Sequence, residues 1–362
     1  MRLARAAVVL GAVILMGCTA AAYATIRRER AAQTGPWHVD VSRRTLRTPD
    51  GPVSVLVWQP REAPGARPLI LFASGWGERV DPGSRQLADL ASHGYVVVGF
   101  DDVAFDPARP HESAQDIDAR HAPYAYDTPA AYAATFKPAG RKVAMAARKG
   151  KAVLDAALVA PDLAARIDAA RIGFLGFSFG GATGVEQSLS DARIRAVVNL
   201  DGWLFGEATH VPIDRPYLLF YIDDDFPPDR WLASDDPAER ALALGCAFDR
   251  SLHRSLLGRA DFFWLHARHV THEELAGAAP SWQWRRPFAA FGEERAALRQ
   301  RQLVHTAIIR AFFDRYLLGH ATAFPPADLG HAGDVMTISD PARAAAMPER
   351  SGAQATELSV AR

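Results

Sequence analysis

Ile172-Gly173-Phe174-Leu175-Gly176-Phe177-Ser178-Phe179-Gly180-Gly181 is the stretch whose reading decides the fold. Its first four residues form a short apolar run, the pattern of a strand buried on both faces of a sheet. From residue 180 to 190 the pattern becomes helical. Ser178 stands at the turn between the two, in Gly-x-Ser-x-Gly spacing. A serine on so tight a strand-to-helix turn is held in a strained conformation with its hydroxyl presented outward. Glycines on either side let helix and strand approach closely. The backbone N–H of Phe179 opens the helix, where the positive end of the helix dipole favours developing negative charge. This setting, more than the five-residue spacing, makes Ser178 the candidate nucleophile.

Working outward, residues 37 to 59 read as a hairpin broken at Pro49-Asp50-Gly51, a strong turn signal. Leu69 to Ala73 and Tyr95 to Phe100 are further buried strands, with a helix over 84–93 between them that Gly94 stops. Residues 101 to 137, rich in Asp, Ala and Pro, read as a surface excursion, and residues 139 to 159 as a helix with Val143, Ala147, Leu154 and Leu158 inward. Strands follow at 194–200, 216–222 and 262–265, with a mostly helical insertion over 226–260. A last helix covers 292–318, placing Val304, Ile308, Ala311 and Phe312 inward, and Gly319 closes it. Strands alternating with helices imply an α/β domain with a mainly parallel twisted sheet and helices on both faces, from about 36 to 320. The Pro- and Ala-rich stretch 321–362 reads as a loosely ordered tail.

The chain has 362 residues, 49% hydrophobic, enough for one large domain with a real core. Lys plus Arg and Asp plus Glu both number 41, so no basic surplus exists to neutralise phosphates, which argues against a nucleic-acid binder. Arg2 and Arg5 before the apolar run Ala6 to Met16 read as an export signal within residues 1–30. Leu15-Met16-Gly17-Cys18 resembles a bacterial lipoprotein box in which Cys18 is lipidated. The rival is an uncleaved membrane anchor reaching Ile26. Either way the expectation is an exported protein, tethered at the periplasmic face or the cell surface. Cys246 then has no intramolecular partner, and its apolar surroundings read as those of a packed thiol.

A serine hydroxyl attacks well when a base takes its proton. His266, His269 and His272 follow the 262–265 strand, and His272 falls where the strand pattern has ended, so it is the preferred base, with His269 second. His269-Val-Thr-His272-Glu273 matches neither zinc helix motif, so no metal is expected. The acid that holds the histidine tautomer is Asp201, directly after one strand, or one of Asp223, Asp224 and Asp225 after the next. The pattern leaves both positions open. The loop Ser74-Gly75-Trp76-Gly77 follows the Leu69 strand, so the Trp76 N–H is the candidate second oxyanion donor beside that of Phe179. Trp282, Trp284, Phe288 and Phe291 read as packing residues, or as an apolar mouth to the site.

These residues resemble the platelet-activating factor acetylhydrolases and their bacterial, dienelactone-hydrolase-like relatives in the α/β-hydrolase superfamily. The likeness runs from about Arg67 to Ala276 and is densest from Ile167 through FSFGGATGVEQSLSDARIRAVVNLDGWLFG. The resemblance implies that the acid is Asp201, in Leu200-Asp201-Gly202-Trp203, and that the base is His272, in Val270-Thr271-His272-Glu273. It implies a cofactor-free serine ester hydrolase working through an acyl-enzyme, on short-acyl phospholipids or other lipid and small-molecule esters. A polyester, lactone or xenobiotic esterase is the alternative on the same fold, and a catalytically silent tethered binding protein is another. Phe177 and Ser74 stand where that family usually has histidines, which bears on the shape of the pocket.

Overall fold

Ala73, Leu71 and Leu69 point to one side of their strand while Phe72 and Ile70 point to the other, and both sets are buried. This period-2 division repeats across the sheet and sorts the core into two clusters, one on each face. The computed structural model describes residues 33–102, 127–277, 293–326 and 334–338. Among these, β1 (Val39–Thr48) and β2 (Gly51–Pro60) form the antiparallel hairpin, turning at Pro49-Asp50 with Gly51 at φ 111°. β3 (Arg67–Ala73), β4 (Val96–Phe100), β5 (Ile167–Phe177), β6 (Ile194–Leu200), β7 (Tyr217–Tyr221) and β8 (Phe262–Ala267) are mutually parallel.

The strands lie in the order β1-β2-β4-β3-β5-β6-β7-β8, with β2 antiparallel to β4. One face is covered by α1 (Arg85–Ser92), through Leu87, Leu90 and Ala91, and by the helix Glu293–Leu318, through Val304, Ile308, Phe312 and Phe313. The other is covered by α2 (Pro129–Val159), through Val153, Leu154 and Ala157, and by the helix Phe179–Ser190, through Val185. Full burial of each such Val, Leu or Ile stabilises by about 1.5–3 kcal/mol. A one-residue slip in any central strand would exchange its two packed faces, so register is strongly specified.

The chain moves outward from β3 to β4, then crosses back to place β5 on the other side of β3. That reversal creates a crevice outside the carboxyl ends of β3 and β5, the place where open α/β sheets bind ligands. The Ser74–Gly77 loop leaves β3 there, and Ser178 leaves β5 there.

Three elements differ from the sequence reading. α2 begins at Pro129, capped by the Thr128 hydroxyl, and runs through Pro138, where the pattern alone suggested a boundary. The long helix tolerates the hydrogen bond that Pro138 cannot donate, because its buried stripe continues on both sides. β5 starts five residues earlier than its apolar run, with a register irregularity at Ile172/Gly173. Part of the stretch read as a loose tail instead adds β9 (Val335–Thr337), antiparallel to β8 at the sheet edge. Three strand residues are too few to leave a periodic signature. The insertion after β7 comprises a short turn over Asp229–Ala233 and a helix, α5 (Pro237–Arg254). Among the described residues no helix is long and apolar enough to cross a membrane. The export, anchor and Cys18 readings, and the four aromatic residues from Trp282 to Phe291, lie outside the described residues.

Candidate active site

The short α3 (Pro161–Ala164) leads into β5, and Ser178 sits between β5 and α4 (Phe179–Ser190), with φ 53° and ψ −126°. A non-glycine residue held there costs of order 1–3 kcal/mol and persists where its surroundings over-determine it. They do so here. The Ser178 N–H donates to the Leu200 carbonyl at 2.8 Å, and its own carbonyl accepts from the Gly181 N–H at 2.8 Å. From Ile172 to Ser188 every residue is buried except Ser178, which is half-buried.

The glycines around the serine are demanded by close contacts. A Cβ on Gly180 would stand 2.1 Å from the Ala73 carbonyl oxygen, and one on Gly176 would stand 2.0 Å from the Gly180 carbonyl oxygen. Both neighbours are backbone and cannot step aside. Gly180→Ala is therefore expected to destabilise the fold by about 4 kcal/mol, at the diagnostic end of the single-substitution range. Urea or guanidinium unfolding would measure this, and a loss under about 1 kcal/mol would show that the elbow can relax.

Asp201 follows β6 and also has a positive φ, 59°. Its turn is tied down by Asn199, whose side-chain N–H donates to the Gly202 carbonyl at 2.7 Å and to Tyr217 Oη at 3.0 Å. Asn199 Oδ1 accepts from the Gly202 N–H at 2.8 Å. A Cβ on Gly202 would meet the Ser178 carbonyl oxygen at 2.0 Å, so the acid-bearing turn and the serine turn are in backbone contact. Tyr217 Oη also meets His253 Nε2 at 3.1 Å, and the buried Asp249 accepts from the Leu204 N–H at 2.7 Å. Burial pushes Asp249 up to about 8 and holds His253 down at about 3, so both are neutral at pH 7.

His272 opens α6 (His272–Leu275), a one-turn helix whose N-cap Thr271 accepts from the Glu274 N–H while Glu274 accepts from the Thr271 N–H. This capping box fixes the end of the loop after β8 and aims the imidazole inward. His272 Nδ1 lies 2.6 Å from Asp201 Oδ2. An ionised carboxylate only accepts, so Nδ1 carries the proton and Nε2 keeps its lone pair. The imidazole ring packs 4.6 Å, centroid to centroid, from the ring of Phe177, next to Ser178 in the chain. Burial holds His272 below its ordinary 6.5, with the nearby carboxylates of Glu273, Glu78 and Asp224 opposing that shift.

The other sequence candidates go elsewhere. Asp223 Oδ1 meets His266 Nε2 at 2.8 Å, and Asp223 Oδ2 accepts from the His269 N–H at 2.9 Å. His269 is exposed, and Asp224 is exposed with its carbonyl accepting from the buried Cys246 thiol at 3.7 Å. Asp225 is buried and faces Asp201. His266 and His269 therefore turn to Asp223 while His272 turns to Asp201, and no group of three or more metal-binding side chains converges among the described residues.

On the opposite side of Ser178, the Trp76 ring packs edge-on against Phe179 at 4.7 Å between centroids. This brings the loop after β3 against the first residue of α4, whose N–H has no acceptor within the helix. Beneath both rings lies Lys142, its Nζ 3.3 Å from the Trp76 centroid and 4.8 Å from that of Phe179. Lys142 is buried and pairs at 2.8 Å with Asp102 Oδ2, which also accepts from the Gly77 N–H at 2.7 Å. Sequence reasoning missed this pair. Its signal was a lysine amid the small inward residues Ala139, Val143 and Ala146, where an apolar residue would be expected. Lys142→Met, which removes the cation paired with the buried Asp102 carboxylate and leaves Lys149 of the same helix on the Asp102 backbone carbonyl, is expected to cost about 3 kcal/mol of stability. Chemical denaturation checks this, and an unchanged midpoint would sink the assignment.

The family model described as "Platelet-activating factor acetylhydrolase, isoform II" matches residues 141–230, a span that holds Lys142, Ser178, Asp201 and Asp225. The platelet-activating factor acetylhydrolase of Cavia porcellus is 26% identical over 189 residues, covering 44% of this chain and 40% of the relative. That of Bos taurus is 36% identical over 73 residues, covering 20% of this chain and 16% of the relative. The chain thus spans less than half the length of these curated relatives. In structure it is similar to a ferulic acid esterase from Streptomyces cinnamoneus, with a TM-score of 0.57 and 22% identity over 85% of this chain and 98% of that one. Over these spans the chain is similar in sequence to the platelet-activating factor acetylhydrolases, and its fold is that of the α/β-hydrolases.

Proposed function

We propose that the protein is a serine carboxylic-ester hydrolase acting through an acyl-enzyme on Ser178. The observation that carries the proposal is a strained, half-buried serine at the crevice where strand order reverses, with an Asp201–His272 pair held at 2.6 Å whose imidazole packs on Phe177, the residue before the serine. In the proposed reaction Ser178 Oγ attacks the ester carbonyl carbon while His272 Nε2 takes its proton. The oxyanion lies near the backbone N–H groups of Phe179 and Trp76. Collapse of the intermediate expels the alcohol, which leaves with the proton from His272. Water then attacks the acyl-enzyme by the same route in reverse, releasing the acid and restoring Ser178. The sequence relationship to platelet-activating factor acetylhydrolases supports a short-acyl phospholipid as substrate.

A fluorophosphonate probe, followed by peptide mass mapping, tests the nucleophile: the label is expected on Ser178. Absence of label would favour a silent binding protein, and label on another residue would displace Ser178. An acyl-length series of p-nitrophenyl esters, run beside 2-acetyl phosphatidylcholine, tests the substrate. A preference for long or aromatic acyl groups would favour the polyester or xenobiotic alternative. Export and N-terminal tethering belong to the same proposal, and mass analysis of the mature N-terminus for a lipidated Cys18 tests them.

The pH dependence follows from His272. The base must be neutral to accept a proton, and burial lowers its affinity for one. Activity should therefore rise with pH along a limb centred below 6.5. A kcat/KM profile centred above 6.5 would contradict the burial argument.

A further inference from the structure

Asp201 uses one carboxylate oxygen, Oδ2, to hold His272, at 2.6 Å. Its other oxygen, Oδ1, is buried and takes no well-formed N–H or O–H donor. Two groups stand within hydrogen-bond reach of the Asp201 side chain: the Ile222 N–H, whose well-formed bond goes to Asp225, and the carboxyl of Asp225 itself, from the turn Asp223–Asp225 after β7. Both possible acid positions, after β6 and after β7, are thus occupied and meet behind the histidine. Two carboxyl groups can share a hydrogen bond when one of them carries a proton. Two buried like charges in contact do not both ionise.

The surroundings decide which one holds the proton. Asp225 Oδ1 accepts from the Trp203 indole N–H and Oδ2 from the Ile222 N–H, each at 3.0 Å, so its place is fixed by neutral donors. The nearby guanidinium of Arg250 donates to the Asp225 backbone carbonyl rather than to its carboxyl. Asp201 by contrast faces the imidazole that becomes cationic during turnover. The other titratable groups facing the pair are Asp224, Asp249, the Cys246 thiol and His266. Burial, followed by the Asp201 charge, raises Asp225 well above the ordinary carboxyl range, while burial brings Asp201 to about 6.

We propose that Asp225 is held as the neutral acid and donates its proton to Asp201 Oδ1, making it a positioning residue for the carboxylate that orients His272. It fills the buried acceptor without adding a second negative charge beside the imidazole. No bond is made or broken at Asp225 during turnover. The proposal rests on the assignment of Ser178, Asp201 and His272 above.

Three variants in the full-length protein test it. Asp225→Asn replaces the acid O–H with an amide N–H donor and is expected to keep kcat/KM within about threefold, whereas Asp225→Leu, which donates nothing, should lose about 10- to 100-fold, mostly in kcat. Infrared spectroscopy at pH 7, on an Asp249→Asn background that takes the neutral Asp249 carboxyl out of the spectrum, should show a protonated-carboxyl C=O band that is lost when Asp225→Asn is added. The alkaline limb of the wild-type profile, where Asp225 ionises, should vanish in Asp225→Asn. Retention of that band after Asp225→Asn is added, or equal loss of activity in the Asn and Leu variants of Asp225, would overturn the proposal. The infrared readout holds whether or not Asp225→Leu folds. It is also independent of activity, so a failure to label Ser178 remains distinguishable from a failure of the carboxyl pair.

Discussion

Ser178→Ala should lower kcat for ester hydrolysis by roughly 10⁶-fold while leaving the fold intact, because removing the nucleophile of a concerted unit costs about as much as removing the whole unit. The substitution deletes one oxygen at a half-buried position whose backbone is held by Leu200 and Gly181 rather than by the hydroxyl. Stability should therefore change little, and the loss should appear in turnover. Residual activity, from bound water and the backbone donors alone, should stand roughly 10³–10⁴-fold above the uncatalysed reaction. Steady-state kinetics on a short-chain p-nitrophenyl ester, with unfolding midpoints measured beside it, separates these effects. A variant that kept even a hundredth of wild-type kcat would mean that a different group attacks.

Asp201→Asn should lower kcat by roughly 10⁴-fold, since an amide can donate to His272 Nδ1 and thereby favour the wrong tautomer. The 2.6 Å contact survives in outline, but its direction reverses and Nε2 becomes protonated before the serine needs a base. Asp223→Asn should leave kcat within about threefold, because Asp223 serves His266 and the His269 N–H at the far side of the turn. The opposite ranking, with Asp223→Asn the more damaging, would transfer the acid role to the turn after β7. Asp224→Asn belongs with Asp223→Asn, as its carboxylate is exposed.

The central sheet was legible because strands buried on both faces leave continuous apolar runs, and Leu69–Ala73, Val96–Phe100 and Ile194–Leu200 are such runs. β5 was legible over Ile172–Leu175, but its first five residues, Ile167 to Arg171, carry no continuous apolar run because Asp168 to Arg171 are half-buried or exposed at the sheet rim. The start of α2 was hidden by Pro138, whose local meaning is a helix boundary and whose effect here is outweighed by the helix packing around it. β9 had no pattern to read, since an edge strand of three residues derives its conformation from β8 rather than from its own sequence.

Within the candidate site, Ser178 and His272 stood out in the sequence because each stands where one element's pattern stops and another begins. Asp201 and Asp223 to Asp225 were equivalent as sequence, both being acids just past a strand. The geometry that separates them depends on side-chain direction: His272 reaches Asp201, His266 reaches Asp223, and Asp225 turns back toward Asp201. The Lys142–Asp102 pair was illegible for a related reason. A lone charge on an inward helical stripe gains its meaning from a partner on a different element, and no local pattern records that partner.

The backbone contact between the Ser178 turn and the Gly202 turn divides the site into two unlike parts. Ser178 and Asp201 are cast together in the middle of the sheet, where altering one turn displaces the other. The histidine arrives on a short capped loop joined to them by side chains. Exchange of residues 268–277 for a related loop would thus replace the base and reshape that rim of the pocket as a unit. No comparable cassette can be cut around Ser178 or Asp201, so diversification of this scaffold is channelled to its histidine side.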